Sequence, residues 1–228
     1  MKLKLIKKID VTHDVKTFIF EAQEHIIWQP GQYLHYVLNH PNPDDREAER
    51  WFTISNAPYE VHPAITTRFA NPSGSTFKKA LENLKPGDEI EADGPKGKFV
   101  LEDLSNQHVF IAGGIGITPF RSILLQLAHD KQPINVDLLY ANRDDNFIFD
   151  GELEEIASLN PNFRIHKFVS PKKIEENDIK ALADTLKDPK YYVSGPEPMV
   201  EAFEQMLKKM GIVEENIHTD FFPGYEME

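Results

Sequence analysis

The hydrophobic pattern changes period part-way along the chain. Up to about residue 100, apolar positions come in short runs rich in β-branched and aromatic side chains. "MKLKLIKKIDVTHDVKTFIF" (1–20) alternates apolar and polar as a half-buried strand does. "KTFIFEA" (16–22), "QYLHYVLN" (32–39), "RWFTISNAP" (50–58) and "AITTRFA" (64–70) read as strands bounded by turn residues such as Pro30 and Gly31. "STFKKALENL" (75–84) differs: Phe77, Ala80, Leu81 and Leu84 fall at helical spacing. "KPGDEIEADGPKGKFV" (85–100) reads as turn, strand, turn, strand. The pattern predicts an N-terminal antiparallel six-stranded β-barrel with one short helix.

Beyond about residue 104, strands and helices alternate. The strands are "HVFIAG" (108–113), "INVDLLYA" (134–141), "FRIHKFVS" (163–170) and "KYYVSG" (190–195), with "NIHTDFF" (216–222) as a last one. The helices between them are "PFRSILLQLAHD" (119–130), "DGELEEIASLN" (150–160), "ENDIKALADTL" (176–186) and "PMVEAFEQMLKKMG" (198–211). Such alternation means βαβ units on a parallel sheet, a Rossmann-like nucleotide-binding α/β fold. Two domains follow, 1–103 and 104–228.

Composition narrows the chemistry. The 228 residues carry a formal net charge of −12, which argues against nucleic acid or an anionic membrane as partner. There is no cysteine, so the chain itself offers no thiolate zinc site, no Cys-ligated iron–sulfur cluster and no Cys nucleophile. The nine histidines show no metal spacing, so no metal is expected; His35 and His108 read as satisfied structural residues. No apolar run approaches the roughly 20 residues of a membrane span. The start lacks the apolar core of a signal peptide, and a cytoplasmic protein is expected.

"AGGIGITPF" (112–120) lies between a strand and a helix, where a phosphate loop belongs. Gly114 and Gly116 permit a tight turn and close backbone approach to an anion. Thr118 suits the N-cap and Pro119 the first helical position, where no N–H is needed. Free amides and the helix dipole at that end favour a pyrophosphate. A strand–helix turn that binds nothing has the same glycines.

The order of several motifs resembles that of the ferredoxin–NADP(H) reductase superfamily of flavoproteins. "PGQY" (30–33) precedes "RWFT" (50–53), which is similar to that family's Arg-x-Tyr-Ser flavin motif. Then come "GSTFKKAL" (74–81), "GPKGKF" (94–99), "GGIGITP" (113–119) and "SGPEPM" (194–199), in the family's order over nearly the whole chain. The resemblance implies a flavin-binding barrel, here with FAD or else FMN, followed by an NADPH- or NADH-binding domain. It implies hydride transfer from NAD(P)H to the flavin, with the protein positioning and tuning the cofactor.

By this resemblance Arg50, Trp51, Phe52 and Thr53 bind the flavin: Arg50 on a phosphate, Phe52 stacked on the ring in place of the family's Tyr, and the Thr53 hydroxyl near N5. Arg50 has an alternative partner in the acidic run "DDREAE" (44–49), and Phe52 and Thr53 suit an ordinary barrel strand. Arg68, Gly74, Ser75 and Thr76 extend the phosphate site, where capping and phosphate binding share one helix end. Ser194, in place of the family's Cys, Gly195 and Pro196 edge the nicotinamide pocket. Arg143 in "YANRDD" leans towards the 2′-phosphate of NADPH, with Asp144 and Asp145 as competing salt-bridge partners. In the tail, Asp220 would assist proton handling and Tyr225 would lie near the flavin, while Phe221 and Phe222 suit core packing. Thr53, Ser194 and Asp220 are thus the candidate catalytic residues.

Three functions are consistent with these residues. One is a flavoprotein oxidoreductase, without iron–sulfur or haem domain, that passes electrons to a separate acceptor such as a ferredoxin, a flavodoxin or an oxygenase component. Lys78, Lys79, Lys96 and Lys98 would offer a basic patch to an acidic carrier. The second is an NAD(P)H:flavin reductase that uses free flavin as substrate. The third is a non-catalytic electron-relay or nucleotide-sensing subunit on the same fold. Oligomeric state is left open.

Overall fold

The computed structural model describes residues 1–69 and 75–222. The chain divides into two compact units, Met1–Val100 and Leu101–Glu228.

In the first unit β1 (Lys2–Asp10), β2 (Val15–Ala22), β3 (Tyr33–Val37), β4 (Glu49–Thr53), β5 (Ala64–Arg68) and β6 (Glu89–Lys96) form one antiparallel sheet ordered β4-β3-β6-β1-β2-β5. The two outer strands are drawn together just past β4. The Ser55 amide donates to the Ala64 carbonyl at 3.0 Å, and the Ser55 hydroxyl lies 2.8 Å from that of Thr66. The barrel is therefore nearly closed, which leaves little bare sheet edge. Alternation fills its inside: Leu3 and Leu5, Phe18 and Phe20, Leu34 and Tyr36 are fully buried. α1 (Thr76–Asn83) packs Phe77 and Leu81 onto this core. The strand expected at the end of "GPKGKFV" does not form. β6 ends at Lys96, and Gly97 follows in the left-handed region at φ 105, where a Cβ would lie 2.9 Å from the Tyr33 ring.

In the second unit β7 (His108–Gly113), α2 (Ile117–His129), β8 (Val136–Asn142), α3 (Asp150–Leu159), β9 (Phe163–Val169), α4 (Glu176–Ala183), β10 (Lys190–Pro196), α5 (Glu197–Lys209) and β11 (Ile217–Phe222) alternate as the pattern predicts. The sheet is ordered β11-β10-β7-β8-β9 and every pairing is parallel. Both faces are covered at the centre of the sheet, where all six residues of β7 are buried, whereas the edge strands β9 and β11 carry polar and partly exposed residues. On one face Val109, Ile111 and Val193 meet Val200, Phe203 and Leu207 of α5. On the other, Phe110 stacks on Phe120 of α2 at 4.5 Å. The chain winds from β7 outward to β9 and then crosses to β10. The winding direction therefore reverses between β7 and β10, and a crevice at such a reversal is where open α/β sheets bind ligands.

Candidate functional site

In the barrel unit the structure builds an anion seat around Arg50. β4 alternates, so Arg50 and Phe52 share one face and Trp51 and Thr53 the other. Arg50 is 6% exposed, and its guanidinium sits 5.6 Å from the Phe77 ring. Its Nη2 donates to Ser75 Oγ at 3.2 Å, beside the start of α1. Ser75 is the N-cap of that helix, with its hydroxyl accepting from the Lys78 amide. Guanidinium, hydroxyl and helix amides thus converge as a phosphate site requires. Arg50 Nε is buried and has no partner.

The acidic run also reaches this seat. Asp44 Oδ1 accepts from Arg50 Nη2 at 2.5 Å, and Asp44 Oδ2 from the Thr76 amide at 3.0 Å. Burial opposes the Asp44 charge, but these hydrogen bonds outweigh it and hold the carboxyl well below the usual carboxylate range. Both readings of Arg50 therefore meet at one place. The residue that the motif alone does not single out is Asp44, whose only signal is its position in "DDREAE".

The other barrel candidates spread out. Phe52 packs its edge on Tyr36 and lies 5.8 Å from Phe77, half-buried against the barrel core. Trp51 is 55% exposed and stacks on His35 at 4.6 Å, while His35 Nε2 meets Glu49 at 3.0 Å. Thr53 is buried on that same face of the strand. Arg68 is paired with Asp14 at 2.8 Å. Lys96 pairs with Asp93, and Lys78 Nζ donates to the Arg68 carbonyl at 3.0 Å. Gly74 and Tyr225 lie outside the described residues.

In the second unit the candidates gather at the carboxyl ends of β7 and β10. Gly114 adopts φ 51, a conformation suited to glycine. At Gly116 the structure shows a packing requirement besides the close anion approach that the sequence suggests: a Cβ there would stand 2.2 Å from the Ser194 carbonyl oxygen. At Gly113 a Cβ would stand 2.2 Å from Met199 Sδ. The glycines thus let the loop after β7 lie directly on the end of β10 and the start of α5. Thr118 is not the N-cap. α2 starts at Ile117 with Gly116 as cap, because a 3₁₀ turn over Gly114–Gly116 already winds the chain. The Thr118 hydroxyl instead donates back to the Ile115 carbonyl at 3.1 Å, and Pro119 falls at the third helical position, still within the turn that needs no N–H.

Ser194 is fully buried in this corner, and its Oγ has no hydrogen-bond partner. A buried hydroxyl without a partner is costly, so this oxygen has hydrogen-bonding capacity that the described residues leave unused. Gly195 and Pro196 close the strand, and Pro196 caps α5. Parallel pairing sets Asp220 of β11 opposite Ser194, while Phe221 is 49% exposed rather than packed in a core. Arg143 follows β8, 42% exposed at its side chain, with Asp144 3.7 Å away. Asp144 Oδ1 accepts from Asn142 and from the Asn146 amide, so it shapes the turn. His108, at the far end of β7, is buried and only partly satisfied: its ring hydrogen-bonds the Asn135 backbone while Nε2 has no partner, and burial lowers its pKa to about 4. Among the described residues no group of acidic or His side chains is arranged to hold a metal ion.

Comparison with known proteins matches both units. Residues 2–101 match the oxidoreductase FAD-binding domain family and residues 110–205 the oxidoreductase NAD-binding domain family. The chain belongs to the ferredoxin–NADP(H) reductase superfamily. It is similar to the ferredoxin reductase component of 3-ketosteroid-9-alpha-monooxygenase from Mycolicibacterium smegmatis, 27% identical over the whole of this chain and 67% of that protein. It is also similar to the glycine betaine monooxygenase reductase subunit of Chromohalobacter salexigens, 28% identical over 96% of this chain and 63% of that one. The chain therefore spans about two thirds of the length of these relatives. Its fold is that of the ferredoxin–NADP+ reductase of Plasmodium falciparum, with a TM-score of 0.81 at 19% identity over 97% of this chain and 95% of the other. FAD and NAD(P)H are thus the cofactors of the family's two domains. The residues fit them: a buried guanidinium with an unpartnered N–H in one unit, and a buried unpartnered hydroxyl at the strand reversal in the other. Among the described residues no helix is long and apolar enough to cross a membrane.

Proposed function

We propose that this chain is a flavin-dependent NAD(P)H oxidoreductase that hands electrons to a separate oxygenase component or small redox protein. The observation that carries this reading is the corner at the strand reversal, where Gly116 lies against the Ser194 carbonyl and leaves the Ser194 hydroxyl buried and unpartnered. A carboxamide such as that of nicotinamide offers the hydrogen-bonding groups this hydroxyl lacks. A bound flavin would supply the redox chemistry, taking two electrons from the reduced nicotinamide and releasing them to the acceptor. Arg50, Ser75 and Thr76 would hold its phosphates, with Trp51, Phe52 and Thr53 following Arg50 on the same strand. Ser194, Gly195 and Pro196 would orient the nicotinamide, and Asp220 would hold a proton beside it. Arg143 would meet a 2′-phosphate, supported by its place just after β8 and its partly exposed side chain. The oxygenase acceptor is supported by the names of the two relatives.

The test is anaerobic titration of the FAD-loaded protein with NADPH and with NADH, followed by the 450 nm flavin band. Bleaching by either nucleotide, and recolouring by ferricyanide, is the expected result. A loaded protein that neither nucleotide bleaches would overturn the reading and leave the non-catalytic alternative. The reading in which free flavin is a substrate is favoured by one observation, the Asp44 carboxylate on Arg50. It predicts turnover only with added flavin.

A further inference from the structure

The seat around Arg50 holds more than the motif requires. Both terminal nitrogens of the guanidinium are occupied from within the chain. Nη1 donates to the carbonyls of Arg46 at 2.7 Å, Glu47 at 3.2 Å and Glu49 at 2.5 Å, and Nη2 to Asp44 and Ser75. The loop between β3 and β4 is thus folded around its own arginine. It is pinned again at α1: the Asp44 amide donates to Thr76 Oγ1 at 2.9 Å, and His40 Nε2 lies 3.0 Å from the same oxygen. Glu47 adopts a positive φ of 54°, uncommon for a residue other than glycine or asparagine, and Asn42 another of 51°, which asparagine tolerates in turns.

The Asp44 carboxylate therefore has the partners that a phosphate would use: a guanidinium N–H and the amide of Thr76, at the positive end of α1. Two anions cannot share one guanidinium in a half-buried site without strong repulsion. We propose that Asp44 is a built-in competitor for the flavin phosphate, so that a phosphate-bearing flavin docks on Arg50 only by expelling this carboxylate and the loop that carries it. This rests on the reading that flavin phosphate docks at Arg50. It makes Asp44 the residue that sets how readily flavin is released and exchanged, and it separates flavins by their phosphate. FAD and FMN meet the competitor and riboflavin does not.

The experiment is equilibrium titration of the full-length, flavin-stripped protein with FAD, FMN and riboflavin, read by quenching of flavin fluorescence. Wild type is compared with Asp44→Asn, which keeps the shape and acceptor oxygen of the side chain, with Asp44→Ala, and with Arg50→Ala. Loss of the charge at Asp44 is expected to tighten FAD and FMN at least tenfold and to leave riboflavin within twofold. An Asp44→Asn protein with wild-type circular dichroism and equal or weaker FAD affinity would overturn the proposal, because it would make Asp44 a positioning group for Arg50. If Arg50→Ala then still weakened FAD and FMN but not riboflavin, the phosphate seat itself would stand. If Arg50→Ala left all three flavins unaffected, phosphate would not dock there, and seat and competitor would fall together. Asp44→Ala, which also empties the seat, is expected to tighten FAD and FMN at least as much as Asp44→Asn, and a folded Asp44→Ala protein that binds them no better than wild type would count against the proposal in the same way.

Discussion

Replacing Gly116 by alanine tests the corner on which the nucleotide reading stands. The added Cβ would meet three backbone atoms, Ser194 O at 2.2 Å, Ser194 C at 2.5 Å and Gly195 Cα at 2.7 Å. No side chain can swing aside to relieve this, so the loop after β7 and the end of β10 must separate by at least about 1 Å to reach ordinary van der Waals contact. Overpacking of this kind typically costs about 1–3 kcal/mol, and contact with backbone on both sides places Gly116→Ala near the top of that range. Displacing a positioning group by about 1 Å can also cost on the order of 100-fold in rate. Gly151 is the matched control. It lies in the first turn of α3, a Cβ there meets nothing within 4 Å, and alanine should be neutral or stabilise by up to about 1 kcal/mol. Urea unfolding of both variants gives the stability difference, and nucleotide titration of the folded proteins gives the effect on the site. A Gly116→Ala protein as stable as wild type and equally able to bind NAD(P)H would refute the argument that the two chain ends must touch.

Three further outcomes follow from the side-chain environments. His108 is neutral in the fold down to about pH 4, whereas the unfolded chain takes up its proton near 6.5, so wild-type stability should fall as pH drops through that window and level off below it. A shift of that size corresponds to about 3 kcal/mol. Urea midpoints between pH 7 and 4 should show a flatter profile for His108→Phe, and parallel profiles would count against it. Asp137 is buried with Arg164 at 2.5 Å and His166 at 2.8 Å; burial raises its pKa, but these partners outweigh it and leave it lowered. Its contribution is present above the unfolded value near 4 and is lost as pH falls through the lower folded one. Asp137→Asn should therefore cost about 1–3 kcal/mol at pH 7, with the gap to wild type closing at acid pH. Arg143→Ala should raise the KM for NADPH at least fivefold while leaving that for NADH within twofold; equal effects on both would remove Arg143 from 2′-phosphate recognition.

Much of this protein is written in local pattern. Alternation of apolar residues fixes the barrel strands, because a strand with one buried face must repeat every second residue. The alternation of strands and helices after residue 104 fixes the parallel sheet, and its central strand reads as an apolar run because it is covered on both faces. "HVFIAG" is β7 residue for residue. The motifs "RWFT" and "GGIGITP" are legible for the same reason: a guanidinium near a helix start and glycines between strand and helix are local requirements.

What sequence order could not supply is which residues meet from distant segments. The end of the barrel's last strand depends on Gly97 against Tyr33, some sixty positions earlier. The reason for Gly116 is the carbonyl of Ser194, and strand order rather than spacing brings those two together. Thr118 loses its expected capping role because the preceding turn winds early and presents the Ile115 carbonyl. Arg50 carries the same residue name in both of its readings. Only the folded loop, with the Asp44 carboxylate on the amide of Thr76, decides that the acidic run and the phosphate seat occupy one place. Propensity and period are properties of neighbours in the chain, whereas close approach and competition for a single guanidinium are properties of neighbours in space.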